Sequence, residues 1–85
     1  MPEVDPFLSD PTNRRAIDYG LSLVLDNEDG PAAVADNELT QAILSRRIYV
    51  HMGGLLLPGQ GKATAYLAAK RAIGMAEEIT EIRGL

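Results

Sequence analysis

The sequence predicts a mostly α-helical fold of three helices, and three observations support this prediction. Apolar residues recur at spacings of three and four in three separate segments, which is the period of a helix with one buried face. Side chains that cap helix N-termini precede the first two segments, and glycine–proline clusters separate the segments. We therefore predict helices at about 11–26, 37–52 and 62–83, with an extended N-terminal arm at 1–9, in a single small domain spanning residues 1–85.

The first predicted helix begins at a capping signal and carries one apolar stripe. Asp10 can accept hydrogen bonds from free backbone N–H groups, and Pro11 suits the first helical position. Apolar residues then follow at i, i+4, i+7 and i+8: Ile17, Leu21, Val24 and Leu25. Gly20 costs about 1 kcal/mol relative to Ala in a helix interior, so we expect another backbone to approach closely there. In the preceding arm, we expect Phe7 to pack on the core.

The second predicted helix follows a polar segment. Residues 27–35 are interpreted as a loop because they contain a Gly-Pro pair, a common turn signal. Either Asp36 or Asn37 then caps the helix, and an acidic residue in its first turn is favourable. We expect its buried side to begin with Leu39, Ala42, Ile43 and Leu44.

Residues 48–57 admit two interpretations because they are apolar on every side. In the first, the second helix continues to about Met52, ends at Gly53-Gly54 and is deeply buried. In the second, the fold is α+β and residues 48–57 form a β-hairpin around the two glycines, favoured by the Ile, Tyr and Val at its start. A lone hairpin is marginally stable in water, so the second interpretation also needs a helix or another chain to cover it.

The third predicted helix has the most regular apolar pattern in the chain. Its apolar residues alternate spacings of three and four, which keeps them on one side of a helix. We call these six residues the seam: Ala65, Ala68, Ala72, Met75, Ile79 and Ile82. The seam is narrow at its alanine end, where a second helix can approach closely. Such a stripe serves either as core or as an interface, and we predict an interface with a second chain.

The composition supports this prediction of a partner. A chain of 85 residues buries a small core, and small domains often add disulfides, a metal or a partner chain. The chain contains no Cys and one His, which excludes a disulfide and a thiolate zinc site. Its apolar fraction of 46% supplies surface for a partner. Its first ten residues do not match a signal peptide, and it has no apolar run of membrane-spanning length, so we expect a cytoplasmic protein.

Two segments partly match ligand-binding loops, and both fail at required positions. The segment GQGKAT at 59–64 resembles a phosphate-binding loop, but Leu56 stands where the first Gly is needed and Ala63 where Ser or Thr is needed. Residues 25–36 match a calcium loop at some positions, yet Leu25 occupies the first ligand position and Asp36 replaces the bidentate Glu. We therefore predict no metal site and no cofactor.

The remaining polar candidates give no catalytic set. His51 has no Ser, Cys or Asp at a recognisable spacing, so we expect a hydrogen-bonded structural residue. The three tyrosines, Tyr19, Tyr49 and Tyr66, show no stacking motif and are expected at the edge of the core. Three basic pairs, one on each predicted helix, would contact phosphates only if they converged: Arg14-Arg15, Arg46-Arg47 and Lys70-Arg71.

These observations predict a non-catalytic protein–protein interaction module, a small adaptor, regulator or inhibitor, and not an enzyme. Its partner is a second copy in a homodimer or another protein, since most soluble oligomers are symmetric. Its size and acidity are typical of small bacterial or phage accessory proteins. The alternative is a nucleic-acid-associated transcriptional regulator that uses the basic pairs. The net charge of −4 disfavours that alternative, because phosphate neutralisation dominates nucleic-acid affinity.

Overall fold

The structure, a computed structural model, describes residues 6–55 and 61–83. These residues form five α-helices and no strand: α1 (Pro6–Ser9), α2 (Pro11–Leu25), α3 (Gly30–Asp36), α4 (Glu38–Met52), a 3-10 turn (Gly53–Leu55) and α5 (Gly61–Arg83). The prediction of a mostly α-helical chain is confirmed. Helices α2, α4 and α5 match the three predicted helices to within one residue at each end.

Local capping interactions fix the starts of the two helices for which the sequence predicts caps. The Asp10 carboxylate accepts a hydrogen bond from the Thr12 backbone N–H at 2.8 Å, and α2 begins at the following proline. The Asn37 side chain accepts one from the Thr40 N–H at 3.1 Å and begins α4. Each bond satisfies a backbone donor that lacks a partner within the first turn of the helix.

The predicted extended arm is wrong for its described part, residues 6–9, which form the short helix α1. The Ser9 hydroxyl donates to the Pro6 carbonyl at 2.8 Å, which closes this single turn. Phe7 and Leu8 are partly buried against the hydrophobic core, so the turn places both apolar side chains on the body of the protein. Residues 1–5 lie outside the described part of the chain.

The predicted loop at 27–35 is also wrong for most of its length, because α3 begins at Gly30. Gly30 has a φ of 84°, a conformation that glycine adopts readily. Pro31 then lies in the first turn, where proline is well tolerated, and alanines follow it. The Gly-Pro pair therefore starts a helix, and the strong helix propensity of alanine extends it.

The β-hairpin alternative at 48–57 is wrong for its described residues, because α4 runs to Met52 and a 3-10 turn follows it. The first interpretation is confirmed for the course of the helix, because α4 ends at Gly53, which has a φ of 55°. The deep burial expected for this helix end is wrong, because Tyr49 and Val50 are 39% and 66% exposed. The buried face of α4 consists of Gln41, Leu44, Ile48 and Met52. Of the residues expected to begin that face, Leu39, Ala42 and Ile43 are instead exposed, and Leu44 is buried.

The core lies where α2, α4 and α5 meet, with α5 making its most extensive contacts with the other two. Gly20 on α2 lies at this junction. A Cβ atom at this position would lie 2.7 Å from Ile48 Cδ1 and 3.1 Å from Ala72 Cβ. Neighbouring helices do approach Gly20 closely, but the nearest atoms belong to side chains of α4 and α5 and not to a backbone as predicted. Among the described residues, no helix combines the length and apolarity needed to cross a lipid bilayer.

Candidate functional site

The seam on α5 divides into a buried half and an exposed end. Ala65, Ala68 and Ala72 are completely buried by the chain's own helices. Met75 and Ile79 are partly accessible, and Ile82 is 78% exposed. A partner approaching the folded chain would therefore meet the C-terminal end of the seam and not its alanines.

A second apolar stripe lies on the outer side of α4. Leu39, Ile43 and Val50 are 71%, 47% and 66% exposed. Together with the exposed Arg46 they occupy positions i, i+4, i+7 and i+11, which fall on one side of a helix. We call these four residues the α4 face. It lies opposite the residues that α4 buries, so α4 is apolar on both sides and only one side meets the core.

A groove runs between the α4 face and the start of α5. It has a volume of about 530 Å³ and is lined by Ala42, Ser45, Arg46, Tyr49, Val50, Lys62 and Tyr66. Tyr49 and Tyr66 are both partly exposed, so each offers an aromatic surface to solvent. Lys70 lies one turn further along α5, with its Nζ 5.3 Å from the centroid of the Tyr66 ring. The groove therefore combines apolar and aromatic walls with cationic groups.

On the other flank of the α4 face, His51 stacks on Tyr19 of α2. The ring centroids are 3.7 Å apart and the ring planes differ by 5°. His51 is exposed, and its described contact is this stacking contact and not the predicted hydrogen bond. The pair joins the end of α4 to the middle of α2, and it lines a groove with Ile43, Arg47 and Val50.

Beneath the α4 face, one buried polar residue connects three helices. The Gln41 side-chain amide donates to the Ala35 carbonyl and, at 3.4 Å, to the Val34 carbonyl at the end of α3. Its oxygen accepts a hydrogen bond from Lys70 Nζ of α5 at 2.7 Å. The last carbonyls of a helix lack partners within the helix, so Gln41 serves as a cap for α3. The side-chain amide of Gln41 is therefore engaged in hydrogen bonds within the fold.

The three basic pairs line different grooves. Arg14 lines one groove with Asp18 and Met75, whereas Arg46 lines another with Tyr49 and Lys62. Lys70 lines a third groove, between α3 and α5. Within the described chain, Arg46 and Arg47 make no ion pair, and both side chains are exposed. These two guanidinium groups are therefore available to a partner's acidic groups.

The two partial ligand-loop motifs do not assemble a ligand site in the described residues. Of the phosphate-loop segment, Gly61 and Lys62 form the first turn of α5, and residues 59–60 lie outside the described part. Of the calcium-loop segment, the Asn27 side chain accepts a hydrogen bond from the Asp29 N–H at 2.9 Å, and α3 takes up the remainder. No group of three or more side chains able to hold a metal occurs in residues 6–55 and 61–83.

The α4 face was not predicted from the sequence, although the sequence contains a signal for it. Two apolar stripes fit the helical period between residues 38 and 52, one through Ile43 and Val50 and the other through Leu44 and Ile48. One helix packed on a small core can bury only one of two opposite stripes. The sequence therefore shows that α4 has more apolar surface than the core can bury.

No protein-family model, curated protein or solved structure gives a significant match to this chain.

Proposed function

We propose that this chain is a non-catalytic protein–protein interaction module, a small adaptor, regulator or inhibitor that acts as a dimer or bound to a partner. The α4 face makes the contact. The observation that carries the proposal is the exposure of Leu39, Ile43 and Val50 on one side of one helix. Contiguous exposed apolar surface on a small domain is typical of a docking site.

The surroundings of the face support this role. The helix that presents it is held rigidly, because its opposite side is buried and Gln41 bonds to two neighbouring helices. A rigid apolar surface binds a partner with little loss of conformational entropy. Three tyrosines and Arg47 line the grooves beside it, and Arg46 lies within it; tyrosine and arginine are enriched where partners bind most strongly. The exposed end of the seam, Met75 and Ile82, is a smaller second surface.

Site-directed photo-cross-linking tests the proposal. A benzophenone amino acid is placed at Val50 on the α4 face, at Ile82 on the exposed end of the seam, or at the exposed Ala33 of α3 as a control. In the cell that produces the protein, we expect irradiation to give a discrete adduct from position 50 and none from position 33. The adduct mass distinguishes a second copy from another protein.

The outcomes separate the candidate surfaces. An adduct from Ile82 and none from Val50 would move the contact to the seam and contradict the α4 face. Equal diffuse labelling from all three positions, with no discrete adduct, would contradict an interaction role for either surface. Circular dichroism of each substituted protein checks that the helices are intact.

A further inference from the structure

The charges around the α4 face point to the chemistry of its partner. Arg46 lies within the face and Arg47 lies beside it, and the described chain gives neither an ion pair. Lys62 lines the adjoining groove. The described acidic residue of α4 is Glu38, at its N-terminal end. The face is thus locally cationic on a chain of net charge −4.

A partner that covers the apolar side chains of the α4 face also removes water from the guanidinium of Arg46, because Arg46 lies between Ile43 and Val50 along the helix. A charge that loses its water without gaining an opposite charge is strongly destabilising. Carboxylates are the matching groups, because a guanidinium donates two parallel hydrogen bonds to one carboxylate. An occupant of this face must therefore carry acidic groups beside its apolar ones.

The dimensions of the face suit a helix. Leu39 and Val50 are separated by eleven residues of α4, which is roughly 16 Å at 1.5 Å per residue. That length matches about three turns of a second helix, whose apolar residues recur at i, i+3, i+4 and i+7. The groove between α4 and α5 gives such side chains a place between Tyr49 and Tyr66.

We propose that the α4 face binds an acidic amphipathic helix of a different protein. The apolar stripe of that helix packs on Leu39, Ile43 and Val50, and its carboxylates pair with Arg46 and Arg47. This inference rests on the proposed function and specifies the partner class for the same surface.

A second copy of this chain fits the face less well. Symmetric pairing of two α4 helices would bring the Arg46 and Arg47 groups of both copies together, and like charges repel. The end of α5 carries Glu78 on the same side as the exposed Met75 and Ile82, but this stretch is seven residues long and so is shorter than the eleven residues from Leu39 to Val50. Its docking on the α4 face of another copy would also be a head-to-tail contact, which forms open chains unless it closes into a ring. A lipid surface also fits poorly, since membrane-bound helices keep basic residues on the polar side and Arg46 interrupts the apolar one.

Two designed helical peptides of about 15 residues test the inference, a length at which isolated helices begin to form. Both carry the same leucine stripe; one has Glu and the other has Gln at the flanking positions. Binding to the full chain is followed by NMR chemical-shift titration. We expect the Glu peptide to bind about tenfold more tightly, corresponding to about 1.4 kcal/mol, to shift Ile43 and Val50 resonances, and to weaken with added salt.

Matched variants locate the charge effect. Removing both charges of the face, Arg46→Gln with Arg47→Gln, should abolish the preference for the Glu peptide. Removing both charges of α2, Arg14→Gln with Arg15→Gln, should leave it unchanged although the net charge changes equally. Thermal unfolding checks that both variants fold.

The outcomes distinguish this inference from the proposed function. Equal binding of both peptides at the α4 face would overturn the acidic partner and leave the docking surface in place. Binding of neither peptide, or shifts confined to other helices, would also overturn it. A photo-adduct from Val50 with twice the mass of the chain would assign the face to a second copy, which overturns the inference while supporting the interaction role.

Discussion

The seam on α5 and the face on α4 have similar spacing and opposite fates. Both place residues at alternating intervals of three and four along one side of a helix. The seam begins with Ala65, Ala68 and Ala72, which are completely buried, whereas the α4 face presents larger apolar residues to solvent. Regular spacing therefore identifies the side of a helix that avoids water, but it does not identify what covers that side.

Side-chain size accounts for the difference. Alanines keep the surface of α5 low, so α2 and α4 approach it closely and fill the space with Ile17, Val24 and Ile48. Close packing of this kind gains dispersion contacts with few voids. The outer side of α4 has no further described helix to receive it. The seam's alanine half is thus core, and the surplus apolar surface belongs to α4.

The largest expected difference in the free energy of unfolding is between two charge insertions, one in the seam and one in the α4 face. Ala72→Glu places a carboxylate among buried apolar groups and should lower the free energy of unfolding by at least about 3 kcal/mol. Val50→Glu places the same group on the exposed α4 face and should change it by less than about 0.5 kcal/mol. Urea unfolding followed by circular dichroism measures both.

Val50→Glu is the control for the chemistry of the substitution, since both variants gain one carboxylate. Equal loss of stability in both variants would contradict the difference between the seam and the α4 face, because it would mean that the α4 face is covered in the isolated protein. Measuring the stability of the original chain and of Val50→Glu over a range of protein concentrations would then show whether a second copy covers the α4 face.

The sequence predicts the three long helices because several local signals agree at each of them. Asp10 and Asn37 cap the first two, Gly53 ends α4, and the apolar period fixes the third. The two short helices were missed for a local reason. The Gly-Pro pair at 30–31 signals a loop, and residues 1–9, with two prolines, were predicted to be an extended arm. Proline is equally compatible with the first turn of a helix, and α1 and α3 both have one there.

The assignment of faces was less predictable than the helices. The seam is the strongest stripe in the sequence, but its alanines pack on residues of two other helices, and that pairing is a tertiary property. For α4, the sequence contains two stripes and nothing local to choose between them. Gln41 belongs to the buried stripe because it reaches the carbonyl end of α3, a helix that the sequence analysis did not predict.

The next largest difference in stability is expected between substitutions of the polar residues on the two sides of α4. Gln41→Leu removes the side-chain donors to the Val34 and Ala35 carbonyls and should lower the free energy of unfolding by about 2 kcal/mol. Arg46→Leu, on the exposed side, should change it by less than about 0.5 kcal/mol. Chemical unfolding of both variants under the same conditions gives the comparison.

Hydrogen exchange adds a local measurement to the Gln41 prediction. Because Gln41 caps α3, its loss should speed amide exchange in that helix more than in the middle of α5. A Gln41→Leu variant with unchanged stability would show that apolar packing replaces the three hydrogen bonds. That result would mean that the hydrogen bonds of Gln41 do not explain why α4 buries this side.

The smallest difference in stability is expected between substitutions of two glycines in helix interiors, one at the core and one at the surface. Gly20→Ala would place a Cβ 2.7 Å from Ile48 Cδ1 and 3.1 Å from Ala72 Cβ, whereas an added Cβ at Gly74 meets nothing within 4 Å. Helix propensity favours alanine at both positions by about 1 kcal/mol. Overpacking costs about 1–3 kcal/mol at a filled site, so Gly20→Ala should destabilise by about 1 kcal/mol and Gly74→Ala should stabilise by up to about 1 kcal/mol.

A double variant identifies the cause of the loss at Gly20. Ile48→Val removes the Cδ1 atom that the new Cβ would meet, so Gly20→Ala should cost less in that background than in the original chain. Thermal unfolding of the four proteins in this cycle measures the coupling between the two sites. Stabilisation by Gly20→Ala in the original chain would contradict close packing of the three helices, and with it the explanation for why the alanine half of the seam is buried while the α4 face is left exposed.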